Sequence, residues 1–253
     1  MAIIKVDRAC LFYEVVGSGK PIILIHGLGL NHTIWKPLTK LFSNERQFIL
    51  PDVRGQGRST LGDGNGSLGQ MAGDLARLLD ELKIDKVVLA GHSMGGYIAL
   101  DFAAKYADRL AGLALVTSNT RADSPEKQRG RLIDAGLIND LGVSFIAEAM
   151  APDLTRNKAI VTRMHKIIEK TDPRGMNNVL KAIAYRQNRL EVLSNLVVPC
   201  MAIFGSDDQI APKGVDIEIE QACPRVKVIR LPGVGHTPML EVPLALGALL
   251  LTL

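Results

Sequence analysis

The stretch Gly91-His92-Ser93-Met94-Gly95 is the part of this sequence best suited to covalent chemistry. It follows the apolar run VVLA and precedes GYIALDFAAKYA, so a Gly-x-Ser-x-Gly lies at a strand, tight turn and helix. Such a turn demands small neighbours, because a side chain at Gly91 or Gly95 would strike the adjoining helix or strand. It lifts Ser93 Oγ clear of the sheet and sets it at a helix amino end, where free N–H groups favour developing negative charge. The competing reading is a serine helix cap between turn glycines.

A serine hydroxyl needs a base, and the five histidines are His26, His32, His92, His165 and His236. His236 lies in the Gly-flanked loop LPGVGHTPML, after the last expected strand and before the last helix, which is the placement a base requires. His92 neighbours the serine, but adjacent residues at a tight turn point apart, so it reads as a structural histidine. His165 reads as a surface residue on a helix. The base in turn needs an acid to fix its tautomer, and Gly205-Ser206-Asp207-Asp208-Gln209 supplies two aspartates after the run CMAIF. One of them is the candidate, and the other reads as a turn former.

The elements that must position these groups follow from hydrophobic pattern. Short Ile/Val/Leu-rich runs recur at 22–25, 48–50, 87–90, 113–116, 200–204 and 226–231, as strands covered on both faces require. Helical spacing separates several of them, for example Leu68, Met71, Leu75, Leu78, Leu79 and Leu82. Alternating strand and helix predicts a mostly parallel, three-layered α/β sheet. The opening runs IIKV and CLFYEVV predict an antiparallel hairpin at its edge. Between about 119 and 196 strand signals give way to helical segments near 126–137, 143–150, 156–170 and 175–187, a candidate helical cap. The expected division is a core of 1–118 and 197–253 with a cap of 119–196. Residues 121–190 hold 13 Lys/Arg against 8 Asp/Glu, so the cap carries the chain's whole +4 surplus.

Composition narrows the function class. With 253 residues, 47% hydrophobic, 22% charged and 4% aromatic, the chain is an ordinary globular protein of one to two domains. A surplus of +4 without a Lys/Arg run is a poor nucleic-acid signal. Three cysteines with no Cys-x-x-Cys spacing argue for a reducing compartment. Lys5, Asp7 and Arg8 interrupt any leader-like apolar stretch, and VPLALGALLLTL is too short to span a bilayer, so a cytoplasmic, non-membrane protein is expected. Gly64-Asn65-Gly66-Ser67-Leu68-Gly69 matches a dinucleotide fingerprint in letters only, since it follows a polar loop and not a strand. Gly17-Ser18-Gly19-Lys20 reads as a hairpin-like turn. No metal-ligand spacing is present, and neither metal nor cofactor is expected.

Together these motifs resemble the α/β-hydrolase superfamily over essentially the whole chain. Two further motifs carry the resemblance: His26-Gly27-Leu28-Gly29 is similar to the family's oxyanion turn, and PDVRGQGRS (51–59) to its Asp-x-Arg-Gly-x-Gly-x-Ser loop. The family's Gly-x-x-Asp falls on Gly205 and Asp208, and its Gly-His on Gly235 and His236. The resemblance implies an eight-stranded, mostly parallel sheet with helices on both faces and a helical cap after the sixth strand. It implies Ser93, Asp208 and His236 as catalytic residues, the Leu28 and Met94 amides as oxyanion donors, and Asp52, Arg54, Gly55, Gly57 and Ser59 as a loop bracing the oxyanion turn. The segment LAGHSMGGYIALDFAAKYADRLAGLALVTS further resembles small bacterial carboxylesterases and 3-oxoadipate enol-lactonases. A serine hydrolase acting without cofactor on a small ester or lactone, as monomer or homodimer, is therefore expected. The same constellation also serves C–C bond hydrolases, thioesterases, perhydrolases, lyases and ligand-sensing receptors. A serine instead of an aspartate at position 93 argues against haloalkane dehalogenases and epoxide hydrolases.

Overall fold

The computed structural model describes residues 2–253. Eight strands form one sheet: β1 (Ala2–Val6), β2 (Ala9–Val16), β3 (Pro21–Ile25), β4 (Gln47–Pro51), β5 (Val87–His92), β6 (Leu110–Val116), β7 (Cys200–Gly205) and β8 (Val226–Leu231). Their order is β1-β2-β4-β3-β5-β6-β7-β8. β1 pairs antiparallel with β2, and β2 with β4; every later pairing is parallel. The centre of the sheet is dry, with Ile22 to Ile25, Val87 to Ala90 and Leu113 to Val116 all buried, because helices cover both faces. Gly17-Ser18-Gly19-Lys20 does not close a hairpin, since β4 slots between β2 and β3. Gly17 is needed there for close approach: at φ +81°, a Cβ on it would stand 2.3 Å from Arg46 O.

The core helices are α1 (Lys36–Phe42), α2 (Leu68–Glu81) and α3 (Met94–Tyr106). α2 forms where the apolar spacing predicts it, and Ser67 Oγ caps it by accepting from the Gln70 amide at 3.2 Å. Between β6 and β7 lie α4 (Pro125–Leu141), α5 (Ser144–Leu154), α6 (Lys158–Ile168), α7 (Pro173–Ala184) and α8 (Leu190–Asn195). α4 packs on α7, and α5 on α6; α8 instead sits on α3 and on α9 (Val215–Ala222). The chain ends in α10 (Pro238–Glu241) and α11 (Pro243–Leu250). The apolar tail finds its partner in α1, with Gly247 tight against the Phe42 ring and Arg46 Nη2 donating to Leu251 O at 3.0 Å. No helix among the described residues is long and apolar enough to cross a membrane.

Two helical glycines separate close packing from simple helix propensity. A Cβ at Gly95 would lie 2.4 Å from Ile25 O, whereas one at Gly130, inside α4, would meet nothing within 4 Å. Gly95→Ala is expected to destabilise by about 1–3 kcal/mol and Gly130→Ala to stabilise by about 0.5–1 kcal/mol. Thermal denaturation of the two variants beside wild type checks both signs.

Candidate active site

Ser93 ends the turn between β5 and α3 with φ +51° and ψ −115°, a conformation that L-residues rarely adopt. Three bonds hold it there: Ser93 N donates to Val116 O at 3.0 Å, and Ser93 O accepts from Gly96 N at 2.9 Å and Ser118 Oγ at 2.7 Å. The helix cap reading fails, because Ser93 makes no side-chain cap bond. At Gly91 an added Cβ would stand 2.3 Å from the Gly95 carbonyl, so glycine at both positions is a steric requirement of the turn.

The loops that follow β7 and β8 meet in a histidine–aspartate pair. His236 Nδ1 and Asp208 Oδ2 are 2.8 Å apart, with the two side chains only 3% and 2% exposed. Asp208 Oδ1 accepts from the amides of Ile210 (2.8 Å) and Ala211 (3.1 Å). Burial alone would raise the Asp208 carboxyl; the His236 hydrogen bond and charge, with those two amides, outweigh it and hold the carboxyl below its ordinary value. An ionised Asp208 takes the proton side of the ring and leaves His236 Nε2 as a lone pair. Asp207 faces elsewhere, paired with Arg156 at 3.1 Å. Gly205 lets the two loops touch, since a Cβ there would lie 2.2 Å from Val234 O.

The turn at His26–Gly29 is braced by the loop that follows β4. Val53 N donates to His26 Nε2 at 3.0 Å, and His26 Nδ1 reaches Gly27 O at 2.8 Å. Gly29 N donates to Gln56 Oε1 at 2.9 Å, and Leu30 N to Gly27 O at 3.2 Å. The His32 amide and Nδ1 both bond Asp52 Oδ1, at 2.7 and 2.8 Å. Ser59 Oγ donates to Asp52 O, and Arg54 is buried against Asp74. Every amide from Gly29 to Leu30 is thus spoken for, while that of Leu28 has no acceptor among the described residues.

Three contributors escape sequence reasoning. Gln56 sits at a variable position of the quoted loop. Glu241 ties the His236 loop by accepting from Gly235 N (3.0 Å), Thr237 N (3.1 Å) and Thr237 Oγ1 (2.9 Å), and its signal is a Thr followed four residues later by Glu at a helix start. Thr117, directly after β6, donates Oγ1 to His236 O at 3.0 Å, with no signal beyond its place at a strand end. His92, read as structural, donates Nε2–H to the same carbonyl at 2.8 Å.

A cavity of about 300 Å³ connects these groups: Leu28, Ser93, Met94, Thr117 and His236 line its floor, and Phe145, Ile146, Met150, Leu180 and Ile183 its cap side. Its charged lining holds Lys127, Arg131 and Arg186 together with Asp123, Asp134 and Asp153, so the cap's basic surplus is not concentrated there. Asp123 holds Arg131 Nε at 2.6 Å and Arg186 Nη1 at 2.8 Å, and the Arg186 guanidinium lies 4.3 Å above the Tyr97 ring. His165 is a partly exposed residue of α6 facing Glu169. The Gly64 loop is a turn before α2, with Gly66 N bonded to Gln70 Oε1.

The family model described as alpha/beta hydrolase fold matches residues 20–243. The chain belongs to that family. Among solved structures, this α/β hydrolase is similar to a thermophilic esterase from Thermogutta terrifontis with malate bound (32% identity, TM-score 0.93, 98% of this chain and 96% of that one). It is also similar to the enol-lactonase of Burkholderia xenovorans LB400 (25% identity, TM-score 0.89, 99% and 98%). Over 115 residues it is 37% identical to an Azorhizobium caulinodans protein provisionally assigned as the carbamate hydrolase RutD. That match covers 46% of this chain and less than half, 43%, of the relative.

The depressed Asp208 carboxyl has a thermodynamic consequence. Stability from such a group is present above its unfolded value, near pH 4, and is lost as pH falls through the lower folded value. Wild type should therefore lose thermal stability below about pH 4 more steeply than Asp208→Asn, as melting curves between about pH 2 and 6 will read.

Proposed function

We propose that this α/β hydrolase cleaves small carboxylic esters or lactones through an acyl-enzyme on Ser93. In this reading Ser93 Oγ attacks the carbonyl carbon as His236 Nε2 takes its proton. His236 then returns that proton to the leaving alkoxide, and water repeats the cycle to free the acid. Asp208 holds the ring and stabilises the imidazolium. The Leu28 and Met94 amides receive the oxyanion. The observation that carries the reading is the buried 2.8 Å His236–Asp208 contact, with His236 lining one cavity together with a serine whose hydroxyl is not used as a cap. The unpartnered Leu28 amide supports the oxyanion assignment.

The cap of 119–196 would enclose the substrate, and no cofactor enters the mechanism. A cavity of about 300 Å³, at the small end for ligand sites, supports short acyl groups. The charged side chains in the cavity lining support a substrate with a polar substituent, in keeping with malate in the Thermogutta esterase. Acetate and butyrate esters should be turned over well and palmitate esters poorly.

The test is a panel of activated esters, lactones, thioesters and vinylogous diketones on wild type and Ser93→Ala. Loss of all turnover in a folded Ser93→Ala is expected; full activity in that variant would overturn the mechanism. Repeated product release separates an enzyme from a ligand-sensing receptor. Asp208→Asn should lower kcat by up to about 10⁴ and Asp207→Asn little, since only Asp208 meets the base. Inactivity of Asp207→Asn alone would reverse that assignment.

A further inference from the structure

We infer that His92 and Thr117 form a two-donor clamp on the main-chain carbonyl of His236, and that this clamp sets where the imidazole stands relative to Ser93. The inference rests on His236 being the base. His236 O accepts from His92 Nε2 at 2.8 Å and from Thr117 Oγ1 at 3.0 Å, so both of its lone pairs are occupied. Its amide donates to Leu154 O at 2.8 Å, and Nδ1 meets Asp208 at 2.8 Å. Each polar group of His236 other than Nε2 is therefore tied down, and the residue is only 2% exposed.

Both donors bear a local penalty. Thr117 holds φ +46°, a region in which a β-branched residue is strained, and it is buried. His92 is buried with Nδ1 lacking any hydrogen-bond partner, and a Cβ on Gly27 would lie 2.7 Å from that nitrogen. Burial, with the charge of His236 next, pushes its imidazole down to about 3. The ring is neutral at working pH, with one nitrogen carrying its proton toward His236 O. A strained threonine and an orphaned nitrogen, at the ends of the neighbouring strands β6 and β5, thus converge on one carbonyl of a loop that follows β8. The Thr117 amide also donates to Ile203 O at 2.7 Å, which leaves its hydroxyl free to serve the clamp. The two donors lie 144 and 119 residues from their acceptor, so the clamp joins the nucleophile's strand to the base's loop.

The clamp makes both groups positioning residues, acting through His236 and not on substrate. The experiment compares Thr117→Val, Thr117→Gly and Thr117→Ser, with His92→Leu alongside, on an activated short-chain ester. A fluorophosphonate titration counts the competent sites in each preparation. Thr117→Val is expected to lower kcat per titrated site about tenfold, with KM within about twofold, because one hydrogen bond to the base's backbone is lost. Thr117→Gly should lose as much, although it removes the strain, and Thr117→Ser should recover most of the rate. His92→Leu should resemble Thr117→Val.

Wild-type kcat per site in Thr117→Val and Thr117→Gly would overturn the clamp, and so would a Thr117→Ser as slow as Thr117→Val. A role confined to folding would lower the number of titrated sites and leave kcat per site unchanged, which also overturns it. If His92→Leu does not fold, the threonine series decides alone. Failure of the underlying reading is distinguishable: wild type itself would then show no turnover and no titratable serine.

Discussion

The structure depends on one steric constraint, the absence of room for a Cβ at both ends of the Ser93 turn. β5 must reverse into α3 within a single residue, and the helix then runs hard against β3, with Gly95 over Ile25 O and Gly91 over Gly95. That packing forces Ser93 to φ +51°, which throws its hydroxyl away from the cap position an ordinary serine would take. The strain is held by neighbours: Val116 at the end of β6, Ser118 just beyond it, and the first turn of α3.

Around that fixed point the other loops are held mainly by one another. The Gly27–Leu30 turn leans on His26, Gln56 and Asp52, and the His236 loop on Asp208, Glu241, His92 and Thr117. All of them emerge at the carboxyl ends of parallel strands, where an open α/β sheet gathers its loops. Charge follows the same economy. Asp52 and Asp208 are buried carboxylates kept ionised by hydrogen bonds from histidines and amides, so each acts as a fixed anchor and not as a titrating group at neutral pH. In the cavity lining Asp123 likewise grips two arginines.

Much of this was legible in the sequence because it is local. The strand runs from Ile22 to Leu231, the α2 stripe and the Gly91 to Gly95 turn each depend on residues a few positions apart, and the structure has them where hydrophobic period and turn chemistry put them. Spacing from Gly205 selected Asp208 over Asp207 only through a family resemblance; the side-chain directions that separate them are a property of the folded loop. Gln56, Thr117, Glu241 and the bonded role of His92 were not legible. Their partners lie far along the chain or at variable motif positions, and a polar residue beside a motif carries no mark of which distant carbonyl it will meet. The supposed hairpin at Gly17 failed for a related reason: a glycine turn says that the chain bends, not which strand is inserted beside it.

In the proposed mechanism Ser93, His236 and the Leu28 and Met94 amides surround one reacting carbonyl. A crystal structure of the protein after reaction with a small alkyl fluorophosphonate tests it most directly, because the tetrahedral phosphorus mimics that centre. Phosphorus is expected bonded to Ser93 Oγ, with its phosphoryl oxygen about 2.7–3.1 Å from both amides and His236 Nε2 in contact with the serine oxygen or the alkoxy group. A phosphoryl oxygen turned away from Leu28 and Met94, or an adduct on any other residue, would contradict it.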